Sequence, residues 1–164
     1  MSVLKIVKYP DPILRKKGEP VEIIDGKIKK LVKDMVETMY TAQGIGLAAP
    51  QVGESLRVIT VDITHKGDQL IALINPEIIY YEGECTEEEG CLSLPDFKEA
   101  IQRKKKILVK GLNIAGDEVQ IPAEDLLSNA FQHELDHLDG ILVIDRVSKL
   151  KRDIFKNKLR KKKV

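Results

Sequence analysis

The sequence predicts an α+β fold in which antiparallel or mixed strands pack around a central helix, flanked by an N-terminal helix and a basic C-terminal one. Three observations carry this. Apolar residues recur at helical spacing in two long stretches. Short runs rich in Ile, Val and Leu lie between them. Gly, Pro, Asn or Asp punctuates the joins. A chain of 164 residues, 43% apolar and 32% charged, is long enough for a real core, and a single domain over residues 1–164 is expected. Aromatic residues make up only 4%, with no tryptophan, so Ile, Leu and Val must fill that core.

The elements follow in order. Residues 11–21 (DPILRKKGEPV) read as a short helical turn closed by Gly18 and Pro20. A helix is expected from Asp25 to Ala42. Ile28, Leu31, Val32, Met35, Val36, Met39 and Tyr40 share one side of it, and Asp25 is suited to the N-cap. The glycines and proline of GIGLAAPQVG (44–53) break that pattern. Strand-like runs come next at 56–63, 69–75 and 77–83, and KKILVKGLN, AGDE and VQIP (105–113, 115–118, 119–122) form a hairpin pattern. A second helix is expected over Ala123–Asp139, with Gly140 placed to end it. A connector, ILVIDRVS (141–148), leads to a basic helix or tail over about 148–164, where Lys149–Lys163 holds nine basic residues against Asp153 alone.

Net charge is +1, so no global field draws the protein to nucleic acid. No run approaches the ~20 apolar residues of a membrane span, and MSVLKIVKYP lacks the pattern of a secretory leader. The two cysteines, Cys85 and Cys91, are expected to be reduced in a cytoplasmic protein. Cys85 reads as a small core residue.

The second helix carries the chemistry. On a wheel at about 100° per residue, Leu127, Phe131, Leu138 and Ile141 form an apolar stripe with Glu134 in its middle. His133 and His137 flank the stripe beside Ala130 and Leu126, whereas Gln132, Asp136 and Asp139 face the other way. An unpaired carboxylate aimed at a core is costly, so Glu134 must pair, protonate or serve a site. Two histidines at i and i+4 can reach one ion, and the adjacent glutamate can touch water on it, which is the content of H-E-x-x-H. Catalytic sites of this kind take a third protein ligand. Cys91 in EEEGCLSLP and His65 in the polar loop DITHKGDQ both remain open on spacing alone, although a loop histidine is ordinarily just solvated.

Three segments in order, GIGLAAPQ (44–51), EGCLS (89–93) and QHELDH (132–137), resemble peptide deformylases of the bacterial type. H-E-x-x-H alone is shared by many metallopeptidases, but the three motifs together are specific. The resemblance implies that Cys91, His133 and His137 are metal ligands, with Fe²⁺ expected in the cell and Zn²⁺, Ni²⁺ or Co²⁺ able to replace it. It implies Glu134 as the general base and acid, and Gln51 and the Leu92 N–H as the groups that hold the formyl oxygen. The implied reaction hydrolyses the formyl group from N-formyl-methionyl peptides and releases formate. Such a metal lowers the pKa of a bound water towards about 7, and donors aimed at the developing oxyanion contribute on the order of 10²–10³ in rate.

For the substrate, the resemblance implies main-chain pairing with Ile45 and Gly46. It also implies an apolar methionine pocket near Ile45, Gly90, Leu126, Ala130 and His133. Asn129 departs from the apolar residue that relatives often carry there. Glu89 is expected to orient the metal loop or a substrate amine. Arg103 lies behind the site without an obvious partner, because Ala42 and Gln43 stand where relatives often offer a carboxylate. For the basic tail, the resemblance implies contact with the ribosome near the nascent-chain exit, through RNA phosphates, whereas the charge run alone reads equally as a solvated helix end. A ribosome- or RNA-binding protein with structural histidines is the contrasting reading, and it predicts no stoichiometric transition metal.

Overall fold

The Asp25 side chain accepts hydrogen bonds from the N–H groups of Lys27 and Ile28 (3.0 and 3.1 Å) and so starts helix α1, Gly26–Thr41. Residues 2–162 are described by the computed structural model; Met1, Val164 and Lys163, the last lysine of the expected tail, lie outside the described residues. The short turn near the N-terminus is a 3₁₀ segment, Pro12–Arg15. Helix α2 runs Asp125–Leu138 and stops before Gly140, whose φ is 74°. A Cβ at Gly140 would lie 2.4 Å from the Arg15 carbonyl oxygen, so this position requires glycine on both counts. Helix α2 begins later than the expected Ala123 because Glu118–Glu124 belongs to a strand. Helix α3, Lys149–Lys162, buries no residue fully, but Phe155 sets its ring edge-on to Phe97 at 5.2 Å, and Lys151 reaches Glu99 at 3.1 Å.

Among the described residues, five strands form one sheet in chain order: β1 (Gly46–Ala48), β2 (Val58–Val61), β3 (Ile71–Cys91), β4 (Leu94–Leu112) and β5 (Glu118–Glu124). Every neighbouring pair is antiparallel, which settles the alternative of antiparallel or mixed strands. The β4–β5 hairpin lies where its sequence places it.

The larger departure is β3. The expected runs at 69–75 and 77–83 are one strand that continues through the acidic residues to Cys91, and β4 returns alongside it. Glutamate and lysine are depleted in strands, so this stretch carries no propensity signal. Its side chains instead pair across the ladder, as in Glu82–Lys106 and Glu84–Lys104, both 3.7 Å. Each exposed pair contributes only ~0–1 kcal/mol, so the backbone ladder does most of the holding.

Alternation in the strands sorts two cores. Ala48, Ile59, Val61, Leu73 and Val109 pack with Phe131 and Leu138 of α2. Leu47, Val58 and Ile74 pack with Val32, Met35 and Met39 of α1. The helices therefore cover opposite faces of the sheet, and α2 lies against β4 and β1 with its histidine side near the tip of the β3–β4 hairpin.

Candidate metal centre

Cys91 is the last residue of β3. It pairs with Leu94, and the tight turn at Leu92–Ser93 brings its sulfur to α2. Cys91 Sγ lies 3.4 Å from His137 Nε2, which lies 3.3 Å from His133 Nε2. The ligand atoms of these three residues all fall within 4.8 Å of one another. His65 is exposed in its loop and takes no part in that cluster, in keeping with a solvated histidine. One thiol and two imidazoles with inward-facing nitrogens suit a single divalent transition metal.

The surroundings fit the same conclusion. His133 Nδ1 lies 3.0 Å from Glu89 Oε1, which fixes the ring and leaves Nε2 as the free lone pair. Glu89 in turn receives Arg103 Nε and Nη2 at 2.9 and 2.8 Å. Arg103 Nη1 reaches Asp136 at 2.6 Å, and Arg146 closes on the same carboxylate at 2.6 and 2.7 Å. The partners of Arg103 are thus Glu89 and Asp136. Asp136, on the side of α2 turned away from the histidines, is therefore paired and only partly exposed, and Gln132 on the same side is buried and bonded to Lys104 and Ser128. A signal for Arg103 existed: its position shares strand parity with the buried Ile101, Ile107 and Val109.

Glu134 is 4% exposed, and its Oε1 has no hydrogen-bond partner among the described residues. Burial pushes its carboxyl up to about 7, against the pull of His133. Burial also opposes charge on His133, but Glu134 and Cys91 outweigh it and hold that imidazole well above its ordinary value. Burial and the neighbouring His133 depress His137. Partial burial works to raise Glu89 as well, yet Arg103 and His133 keep its carboxyl below the usual range.

The glycine-rich segment has a tighter role than close approach to substrate alone. A Cβ at Gly46 would sit 2.4 Å from Glu134 Oε2, so glycine lets the carboxylate press against β1. Gln51 is 1% exposed; its Oε1 accepts from the Ala48 N–H at 2.9 Å, and its Nε2 faces Ser93 Oγ at 3.2 Å and Cys91 Sγ at 3.7 Å. Ser93, fully buried, is a supporting residue that the sequence did not reveal.

A cavity of about 380 Å³ opens beside these groups, and Ile45, Gly46, Gly90, Leu92, Leu126 and Ala130 contribute to its lining. Leu126 is half exposed at the rim, whereas Ala130 is buried. Cys85 is not the isolated core residue expected: it is part-buried on β3, with its thiol 3.5 Å from Asn129 Oδ1.

The model of the polypeptide deformylase family matches residues 3–153, which include every group of this centre. The chain belongs to the polypeptide deformylase family. The peptide deformylase of Thermodesulfovibrio yellowstonii is 53% identical over 165 residues, covering 99% of this chain and all of the relative. That of Halothermothrix orenii is 56% identical over 150 residues, covering 92% of this chain and 97% of the relative. Among solved structures, the peptide deformylase of Legionella pneumophila superposes with a TM-score of 0.95 at 44% identity, covering 99% of this chain and 96% of that one. The Thermotoga maritima peptide deformylase gives 0.85 at 44% identity, covering 90% and 99%. As a peptide deformylase, the protein is a metal-dependent hydrolase of N-terminal formyl-methionine. Among the described residues no helix is long and apolar enough to cross a membrane.

Proposed function

We propose that this deformylase holds one divalent metal, Fe²⁺ in the cell, on Cys91, His133 and His137, and that Glu134 moves the protons of the reaction. One observation carries the assignment: three ligand atoms lie within 4.8 Å of one another while the buried Glu134 Oε1 has no protein partner. A metal bound there supplies Lewis acidity and an activated water near neutral pH. Glu134 accepts the proton as the formyl carbon is attacked and delivers it to the departing nitrogen. Gln51 Nε2 and the Leu92 N–H donate to the formyl oxygen as it gains negative charge.

The substrate reading follows the cavity. The first side chain of an N-formyl-methionyl peptide lies against Ile45, Gly90, Leu126 and Ala130, and its main chain adds along the far edge of β1 at Ile45 and Gly46. β1 is an end strand of the sheet, which supports this mode. Residues 1–164 act as one domain, whose basic end contacts ribosomal RNA near the exit of the nascent chain. A thiolate ligand requires a reducing compartment, which favours the cytoplasm.

The test is formate release by anaerobically iron-loaded protein from formyl-Met-Ala-Ser, alongside Met-Ala-Ser. Only the formylated peptide should be consumed. Cleavage of Met-Ala-Ser, or protein that binds no metal stoichiometrically, would overturn the reading.

A further inference from the structure

Asn129 is out of character with its surroundings. It sits one helical turn before His133, is 3% exposed, and lines the cavity beside Ala130. Its carboxamide oxygen is engaged by the Cys85 thiol at 3.5 Å. That contact orients the side chain and leaves the NH₂ end without a protein partner among the described residues. The nitrogen is not fully enclosed, and the cavity is the open space that this side chain lines. An apolar residue would serve this wall better if its only task were to cover a methionine side chain, because a bound apolar side chain would strip the NH₂ of water and leave its donor idle.

We infer that Asn129, oriented by Cys85, is a specificity-determining residue of the first side-chain subsite, and that its NH₂ group donates to an acceptor near the end of that side chain. The inference rests on the placement of the first residue given above. A thioether sulfur is a weak acceptor and a sulfoxide oxygen a strong one, whereas the matching methylene of norleucine accepts nothing. The subsite therefore favours formyl-methionine modestly over formyl-norleucine. It also admits formyl-methionine sulfoxide, the product of a common oxidation of methionine, as a substrate. The hydrolysis is unchanged; only the terminal group of the bound side chain differs.

The experiment compares kcat/KM for formyl-Met-Ala-Ser and for its norleucine and methionine-sulfoxide counterparts, using metal-loaded wild type, Asn129→Leu and Asn129→Asp. Metal content and circular dichroism establish that each variant is folded. The sulfoxide-to-norleucine ratio should fall about tenfold in Asn129→Leu, and in the same direction in Asn129→Asp, which keeps the shape but lacks the donor. The methionine-to-norleucine preference should fall by about threefold or less, because sulfur accepts weakly. Ratios that agree within about twofold between wild type and both variants overturn the inference and leave deformylation intact. A wild type inactive on formyl-Met-Ala-Ser strikes the parent reading instead.

Discussion

The two sides of α2 are both polar and both largely covered, yet they are built on opposite terms. On the metal side, His133, Glu134 and His137 are 9%, 4% and 1% exposed, and Glu134 Oε1 has no hydrogen-bond partner among the described residues. On the far side, Gln132 and Asp136 are paired with Ser128, Lys104, Arg103 and Arg146. A buried polar group is costly when unpaired, so the first side is ordered for something not made of protein and the second for holding the helix in place. Arg103 and Glu89 join the two sides, since the same guanidinium that clamps Asp136 also orients the carboxylate behind His133.

The sharpest way to test that contrast is to change one carboxylate on each side. Glu134→Ala should lower kcat for formyl-peptide hydrolysis by about 10³–10⁴-fold, while metal content, measured by elemental analysis, stays near one per chain. Asp136→Asn should leave the turnover of folded protein within about tenfold of wild type, because it touches no reacting atom. Equal losses from the two would erase the distinction.

The clamp itself gives the next effect. Arg103→Met should cost about 3 kcal/mol in denaturant unfolding, because it leaves the part-buried Glu89 with His133 alone and the part-buried Asp136 with Arg146 alone. It should also weaken metal binding by about 10–100-fold through Glu89 and His133. A loss under about 1 kcal/mol would show that Glu89 and Asp136 find other partners.

This clamp is also where reading the sequence stopped short. The helix caps at Asp25 and Gly140 were legible, since each is a local rule about one end of one helix. The H-E-x-x-H face was legible for a similar reason: helical period places both imidazoles and Glu134 on adjoining lines. Periodicity tells which side chains share a face but not what covers that face. The wheel places Asp136 away from the histidines but does not show that β4 brings Arg103 across it. The length of β3 was hidden for a different reason, because Glu84–Glu89 has little strand propensity and is held by pairing with β4. Cys91 as third ligand depended on the hairpin turn at Leu92–Ser93, which spacing alone did not favour over His65.

Acid–base linkage probes the metal side without any turnover. The Glu134 carboxyl is raised from 4.5 to about 7 by burial in the metal-free fold. A folded-state pKa above the unfolded one gives a contribution fully present below pH 4.5 and lost as pH rises through about 7. Metal-free wild type should therefore lose roughly 3 kcal/mol relative to Glu134→Gln between pH 4.5 and 8, at ~1.4 kcal/mol per pKa unit. Loading Zn²⁺ should flatten the difference, because a nearby cation favours the carboxylate. Parallel curves for the two metal-free proteins would mean that Glu134 ionises freely in the fold.

The smallest effect on chemistry belongs to α3, which lies outside the contrast and tests its reach. This helix buries no residue fully and meets the body through the Phe97–Phe155 ring contact and exposed pairs such as Lys151–Glu99. Exposed pairs contribute ~0–1 kcal/mol each, so little folding energy rests on them. Truncation after Lys151 removes Phe155 as well, yet it should change hydrolysis of a short formyl peptide by less than about twofold, because no group of the metal centre lies in the removed segment. The same truncation should weaken cosedimentation with ribosomes at low salt, since basic side chains on RNA gain from counterion release. Unchanged cosedimentation would leave the positive charge of α3 as a solvated surface, and a large loss of turnover would show that the helix supports the centre through Phe97.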